Sequence, residues 1–240
     1  MIKNKKDEKD KIILNVEDLN VILGNERIIE NLSFKVKKGE FLTIIGPNGS
    51  GKTTLLRALF GILPYEGKVE WRKNVKISYL PQRLSKKDFS YVPISIKEFF
   101  KFKNVLDEDI LNMLNSVGLE NSNNLLDMNP DELSGGQFQR MLVAWSLIDN
   151  PDVLLFDEPT TGIDIGGEKT IYELLYKFWK DRNLTILLIT HDLNIVFAYS
   201  TNCLCLHKEK KCYGPPKEIL TPERLQEIYG TKIKFYKHTH

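Results

Sequence analysis

One stretch, FLTIIGPNGSGKTTLLRALF at residues 41 to 60, limits the possible folds more than any other part of the chain. Phe41-Leu42-Thr43-Ile44-Ile45 is short and almost continuously apolar, the pattern of a strand buried on both faces. Gly46 to Thr53 then bring three glycines, a proline and a lysine. Leu55, Leu56, Leu59 and Ile62 recur at helical spacing, and Pro64 lies just beyond them. The order is strand, glycine loop, helix. Two more short buried runs, in PDVLLFDEP (151–159) and NLTILLITHD (183–192), are followed by helical patterns. Buried apolar strands alternating with helices predict a largely parallel sheet.

Other segments fit around that frame. IILNVEDLNVIL and RIIENLSFKV alternate as β-strands about a turn at Gly24-Asn25, and KVEWRKNVKISYLPQ reads as a second antiparallel piece. From Leu84 to Asn150 the pattern turns helical (IKEFFKF, EDILNMLNSVGL, GGQFQRMLVAWSLI), as in an inserted subdomain. Residues 168–181 read as an amphipathic helix. TNCLCLHKEKKCYG reads as a hairpin, and TPERLQEIYG as a helix with a Thr cap and Pro at its first position. Residues 1–11 form a charged lead, 12–230 one domain, and 231–240 a tail.

At 42% hydrophobic and 28% charged residues, the chain can bury a large core and keep a charged surface. Its net charge of +2 lacks the basic excess of a nucleic-acid binder, so no nucleic-acid partner is expected. No apolar run approaches the roughly 20 residues needed to span a bilayer. MIKNKKDEKDK lacks the apolar core of a secretory signal, which points to the cytosol. The cysteines, Cys203, Cys205 and Cys212, cluster with His207. Their spacing is not C-x2-C, and CLCLH alternates like a strand, so the reading is reduced thiols on a buried face. Whether this cluster, or His238 and His240 in the tail, binds metal is left open.

Gly46-Pro47-Asn48-Gly49-Ser50-Gly51-Lys52-Thr53 fits G-x-x-x-x-G-K-[ST], placed between strand and helix as its mechanism requires. Glycines let successive backbone N–H groups converge on phosphate oxygens, and the helix N-terminus adds partial positive charge. Lys52 can reach the β- and γ-phosphates, and the Thr53 hydroxyl can ligate Mg2+. Asp157, at the end of another buried strand, supplies a carboxylate for Mg2+, and Glu158 one to orient or deprotonate an attacking water. Ser134-Gly135-Gly136-Gln137 enters a helix as a second anion-binding turn, or as a simple N-cap.

The motifs GPNGSGKTT, Gln82 in YLPQ, LSGGQ, LLFDEP, Asp164 in TGID and His191 in ITHD follow one another from Ile12 to Gly230. In these the chain resembles the ATP-binding subunit of ABC transporters. That resemblance implies an α/β fold: a P-loop NTPase core with a mainly parallel sheet, an N-terminal antiparallel β subdomain and an inserted α-helical subdomain. It implies ATP and Mg2+ as cofactors and a head-to-tail homodimer on ATP binding. Residues 46–53 and Thr54 of one copy then hold ATP under Ser134, Gly135, Gly136 and Gln137 of the other. Glu158, His191 and Gln82 become the catalytic group, with Gln82 also at the Mg2+ beside Thr53 and Asp157. Asp164 would couple the two sites. One departure is Leu23, which stands where the family places an aromatic to stack on adenine. Without that stacking, weaker discrimination among triphosphates is expected.

A subunit of this kind implies a polytopic membrane permease, docked near Gln82 and the helical insert, which would hold it at the cytoplasmic face of the membrane. RLSKKDFSYVPISIKEFF and YGPPKEILTPERLQEIYG resemble the metal-ion branch of the family. This implies import of zinc, manganese or iron, delivered by a solute-binding protein. The rival readings are a transporter of another solute, or a soluble ATPase of the same family such as an iron–sulfur assembly component.

Overall fold

The computed structural model of the protein describes residues 11–82, 84–119, 124–158, 165–207 and 211–230, the side chains of 165–170 excepted. The lead over 1–10, Asp164 (expected to couple the two sites) and the tail 231–240 with His238 and His240 lie outside the described residues. In chain order the elements are strands β1 (Ile12–Leu23), β2 (Glu26–Lys37) and β3 (Phe41–Ile45), then helix α1 (Lys52–Phe60). Strands β4 (Glu66–Trp71) and β5 (Ile77–Leu80) follow, then helices α2 (Lys86–Phe89), α3 (Ile96–Lys101), α4 (Asp107–Ser116) and α5 (Gly135–Leu147). Strand β6 (Val153–Asp157), helix α6 (Ile165–Arg182), strand β7 (Thr185–Ile189) and helix α7 (Leu193–Tyr199) come next. Strands β8 (Asn202–Cys205) and β9 (Cys212–Gly214) and helices α8 (Pro216–Ile219) and α9 (Pro222–Tyr229) complete the order. The fold is mixed α/β, with an antiparallel N-terminal part and parallel strands beyond it. The chain divides into two compact units, residues 1–74 with 185–240, and residues 75–184.

In the first unit, β1 is the centre of an antiparallel sheet ordered β2-β1-β4. Leu14, Val16, Leu19 and Val21 of β1 and Ile29, Leu32, Phe34 and Val36 of β2 are its buried apolar face. Gly24, at φ 61°, turns β1 into β2 with Leu23 opposite Glu26. A second set of strands runs β7-β3-β8-β9, parallel except for β9. All five residues of β3 and of β7 are buried, as the continuous apolar runs predict. The two threonines among them are satisfied, which removes most of the cost of burying a hydroxyl. Thr43 Oγ1 lies 3.0 Å from Ser200 Oγ, and Thr185 Oγ1 accepts from the Gly39 N–H at 3.0 Å.

Helix α1 buries Leu55, Leu56, Ala58 and Leu59. The expected fourth member of that face, Ile62, is a correction: it is 55% exposed. Gly61, at φ 84°, ends the helix one residue earlier, because a left-handed C-cap closes the last turn. Trp71 Nε1 donates to the free carbonyl of Leu59 at 2.9 Å. Helix α9 starts as expected, with Thr221 accepting from the Arg224 N–H and Pro222 next. It buries Leu225 and Ile228 against Ile45, Val196, Cys203 and Cys205.

In the second unit, β5 pairs with β6 in parallel, Ile77 opposite Val153 and Leu80 opposite Phe156. The expectation that KVEWRKNVKISYLPQ forms one antiparallel piece therefore holds only for β4, which pairs antiparallel with β1. β5 instead pairs with β6, a partner far along the chain, with Ser78 and Leu80 as its buried positions. The helical insert consists of short helices, three of them opened by capping boxes at Ser85, Ser95 and Ser134. Phe89, Phe99, Phe138 and Trp145 pack their rings together within it.

Gly67 is held at φ 94°, and a Cβ there would sit 2.2 Å from the Asp18 carbonyl oxygen. Gly67→Ala should cost about 2–3 kcal/mol by urea denaturation. Gly24→Ala, whose Cβ meets nothing within 4 Å, should cost only the left-handed strain, about 1 kcal/mol.

Candidate functional site

The sequence-predicted site residues divide between the two units. The first carries the glycine loop 46–54 and His191. The second carries Gln82, Ser134 to Gln137, Asp157 and Glu158.

The loop leaves β3 at its buried end. Gly46 has φ 154°, and a Cβ on it would meet the Leu206 carbonyl oxygen at 2.2 Å. Gly51, at φ 92°, lies against Ile28 and Ile29 of β2 and is the N-cap of α1. Gly49, at φ 79°, faces open space. The loop is thus pinned at its start by a glycine that no other residue can replace, closely packed at Gly51, and open in the middle. No acidic residue occupies the first turn of α1, so the helix itself places no negative charge at its positive dipole end. The Lys52 ammonium is 8% exposed and donates to the carbonyls of Gly46 at 3.0 Å and Pro47 at 3.1 Å. Thr53 and Thr54 are half-buried. His191 is exposed, just past β7, beside the buried Thr190. The next residue, Asp192, caps α7 by accepting from the Asn194 N–H at 2.8 Å. Leu23 sits at the β1–β2 tip, 39% exposed.

In the second unit the parallel register does the positioning. Leu80 lies opposite Phe156, so the residues two places further on each strand, Gln82 and Glu158, emerge side by side. Gln82 Nε2 donates to Glu158 Oε2. Asp157, the last residue of β6, is 1% exposed. Glu158 has φ 46°, the left-handed region that a non-glycine residue occupies only when its surroundings over-determine it. That turn sends consecutive carboxylates in different directions, and Gln82 fixes the second. Ser134 caps α5, its hydroxyl accepting from the Gln137 N–H at 3.2 Å while Gln137 Oε1 accepts from the Ser134 N–H at 2.9 Å. A Cβ on Gly136 would touch nothing within 4 Å, so this helix start is open on its outer side.

The matching family model, over residues 29–161, is that of the ABC transporter. The chain belongs to this family. It is an ATP-binding and ATP-hydrolysing subunit, and its relatives match it over nine-tenths of its length or more. A zinc import ATP-binding protein of Wigglesworthia glossinidia brevipalpis is 36% identical over 233 residues, covering 95% of this chain and 99% of the relative. A metal transport system ATP-binding protein of Thermotoga maritima is 40% identical over 225 residues, covering 90% of each. Among solved structures, a metal-chelate type ABC transporter in an inward-facing conformation superposes with TM-score 0.79 at 28% identity, covering 90% of this chain and 88% of that one.

Two features of the site escaped the sequence. The first is Leu206, whose carbonyl forms the wall behind Gly46; nothing in CLCLH marks it before the β3–β8 pairing is known. The second is the state of the cysteines. Cys203 and Cys205 share the buried face of a strand as expected, and Cys203 is a free thiol. The expectation of three reduced thiols is corrected, since Cys205 and Cys212 form a disulfide. Their positions on β8 and β9 face each other directly. The hairpin was readable from sequence, but its register was not.

Gly46→Ala should lower ATP affinity by about tenfold or more, because the added carbon displaces the start of the phosphate loop. Equilibrium binding of a fluorescent ATP analogue measures this. Gly136→Ala, where a Cβ has room, should leave binding by the isolated subunit unchanged.

Proposed function

We propose that this subunit powers the import of a divalent metal ion, zinc, manganese or iron, through a membrane permease. The observation that carries the cargo is the full-length similarity to zinc import and metal transport ATP-binding proteins. No helix among the described residues is long and apolar enough to cross a membrane, so translocation requires another chain. The insert of the second unit offers a surface for it: Tyr91 is 91% exposed and Val92 47%, a short distance along the chain from Gln82. Exposed aromatic and aliphatic side chains of this kind suit a permease helix laid in a groove. That attachment would hold the subunit at the cytoplasmic face of the membrane, with a solute-binding protein on the far side.

The residues fit ATP and Mg2+. The loop from Gly46 to Thr54 is open at Gly49 and backed by the N-terminus of α1. The Thr53 hydroxyl and the buried Asp157 carboxylate are hard oxygen ligands of the type Mg2+ takes, and Gln82 completes the metal-facing group. Bound Mg2+ supplies charge neutralisation across the β- and γ-phosphates. Lys52 then turns from the loop carbonyls to the phosphates. Glu158, held by Gln82, orients and deprotonates the attacking water, and His191 steadies it near the γ-phosphate. Ser134 to Gln137 close on the nucleotide of a second copy, making ATP the glue of a homodimer.

A strain carrying Lys52→Ala, grown under mild metal limitation, tests the cargo. Cellular zinc, manganese and iron are measured against wild type. A selective fall in one metal, restored by supplementing that metal, is the expected outcome. Unchanged metal contents alongside an active wild-type ATPase would remove the metal reading and leave the ATPase standing.

A further inference from the structure

We infer that Cys205 and Cys212 form a reversible dithiol–disulfide site that sets how firmly the phosphate loop holds nucleotide. The inference rests on the ATP-dependent reading above, and on that reading's cytosolic setting, where disulfides are usually transient and redox-sensing.

The pair is defined by register. Cys205 faces Cys212 across the antiparallel β8–β9 pair, with Cα atoms 4.9 Å apart, inside the roughly 4.4–6.8 Å that a disulfide requires. Cys205 is fully buried, while Cys212 is half-buried and reachable from solvent. The third cysteine does not compete. Cys203 is fully buried and lies opposite Gly214 of β9, so no cysteine faces it across the ladder.

The bond closes a ring over residues 206 to 211, and that ring reaches the phosphate loop in three ways. The Leu206 N–H donates to the Ile45 carbonyl at 2.8 Å, and the Leu206 carbonyl is the wall behind Gly46. Lys211 Nζ donates to the Glu30 carbonyl of β2, next to the Ile28–Ile29 surface on which Gly51 rests. His207 and Lys211 line a cavity of about 140 Å³ together with Arg27, Ile28 and Ser50. Ser50 Oγ and His207 Nδ1 are buried there with no hydrogen-bond partner among the described residues. With the bond formed, Leu206 and Lys211 are tied into one short ring and both ends of the phosphate loop rest on a fixed floor. With it reduced, β9 keeps its ladder to β8 and the contacts of the Tyr213 hydroxyl with the Lys35 carbonyl at 2.6 Å and Glu40 at 2.8 Å, while the direct tie between Leu206 and Lys211 is lost and that part of the floor loosens.

The oxidant is a low-molecular-weight disulfide such as glutathione disulfide. The Cys212 thiolate attacks one of its sulfurs, forming a mixed disulfide and expelling one glutathione thiolate. The Cys205 thiolate then attacks the Cys212 sulfur, forming the Cys205–Cys212 bond and expelling the second. Two electrons pass to glutathione disulfide, and the two thiol protons end on the released glutathiones. A dithiol reductant reverses both steps.

The test uses the full chain, equilibrated with glutathione disulfide or with dithiothreitol. Alkylation followed by mass spectrometry counts the free thiols, and a fluorescent ATP analogue reports the Kd. Oxidised protein should label only at Cys203 after unfolding. It should bind the analogue about 2–10-fold more tightly than reduced protein, the span that one hydrogen bond's worth of order carries. Cys212→Ser should show the reduced Kd in both conditions, and Cys205→Ser should repeat that result. Three labelled cysteines after oxidation, equal Kd in the two states, or a redox shift surviving in Cys212→Ser would each overturn the proposal. Binding without a redox shift overturns the proposal alone. No binding in either state overturns it together with the nucleotide reading.

Discussion

The position of β3 is the constraint on which the nucleotide-binding unit depends. It is hydrogen-bonded along both edges, to β7 and to β8, and none of its five residues reaches solvent. The ladder continues one step past its end, through the Leu206 N–H to the Ile45 carbonyl. The chain therefore enters the phosphate loop at a fixed point, facing the Leu206 carbonyl, where only glycine fits. Everything the loop does for a phosphate follows from this. The strand beneath is paired on both edges and buried, which favours a preorganised loop, and preorganised donors lose little on meeting charge.

The Gln82–Glu158 pair of the second unit is built on a different principle. Here a parallel register brings Gln82 beside Glu158, and an unfavourable backbone angle turns Glu158 away from Asp157. The strain gives two adjacent carboxylates different directions, as the proposed roles at metal and water require. A relaxed extended residue at position 158 would place its side chain on the opposite face of the strand from Asp157. The left-handed turn gives a third direction. Such strain persists where function selects it.

Much of this was legible because the signals are local. GPNGSGKT between an apolar strand and a leucine-spaced helix states both its fold and its chemistry. The continuous runs of β3, β6 and β7 announced strands without a polar face, and Thr221-Pro222 announced a helix start. What failed was what depends on partners far along the chain. β5 looked like the continuation of β4 because the two are neighbours in sequence, but its buried side matches β6. Ile62 kept the helical period that Gly61 cuts short. The Gln82–Glu158 contact and the Cys205–Cys212 bond both follow from register, which periodicity does not encode. The family resemblance named Gln82 and Glu158 without saying that they touch.

The central claim is that Glu158 performs the water chemistry while the loop around Lys52 performs the binding. Single-turnover ATP hydrolysis by purified Glu158→Gln, set beside its equilibrium ATP affinity, tests that division most directly. Retained affinity with hydrolysis slowed by about 10²–10⁴, and ATP-bound protein accumulating as a dimer, is the expected result. Near-normal hydrolysis, or hydrolysis and affinity lost together, would contradict it.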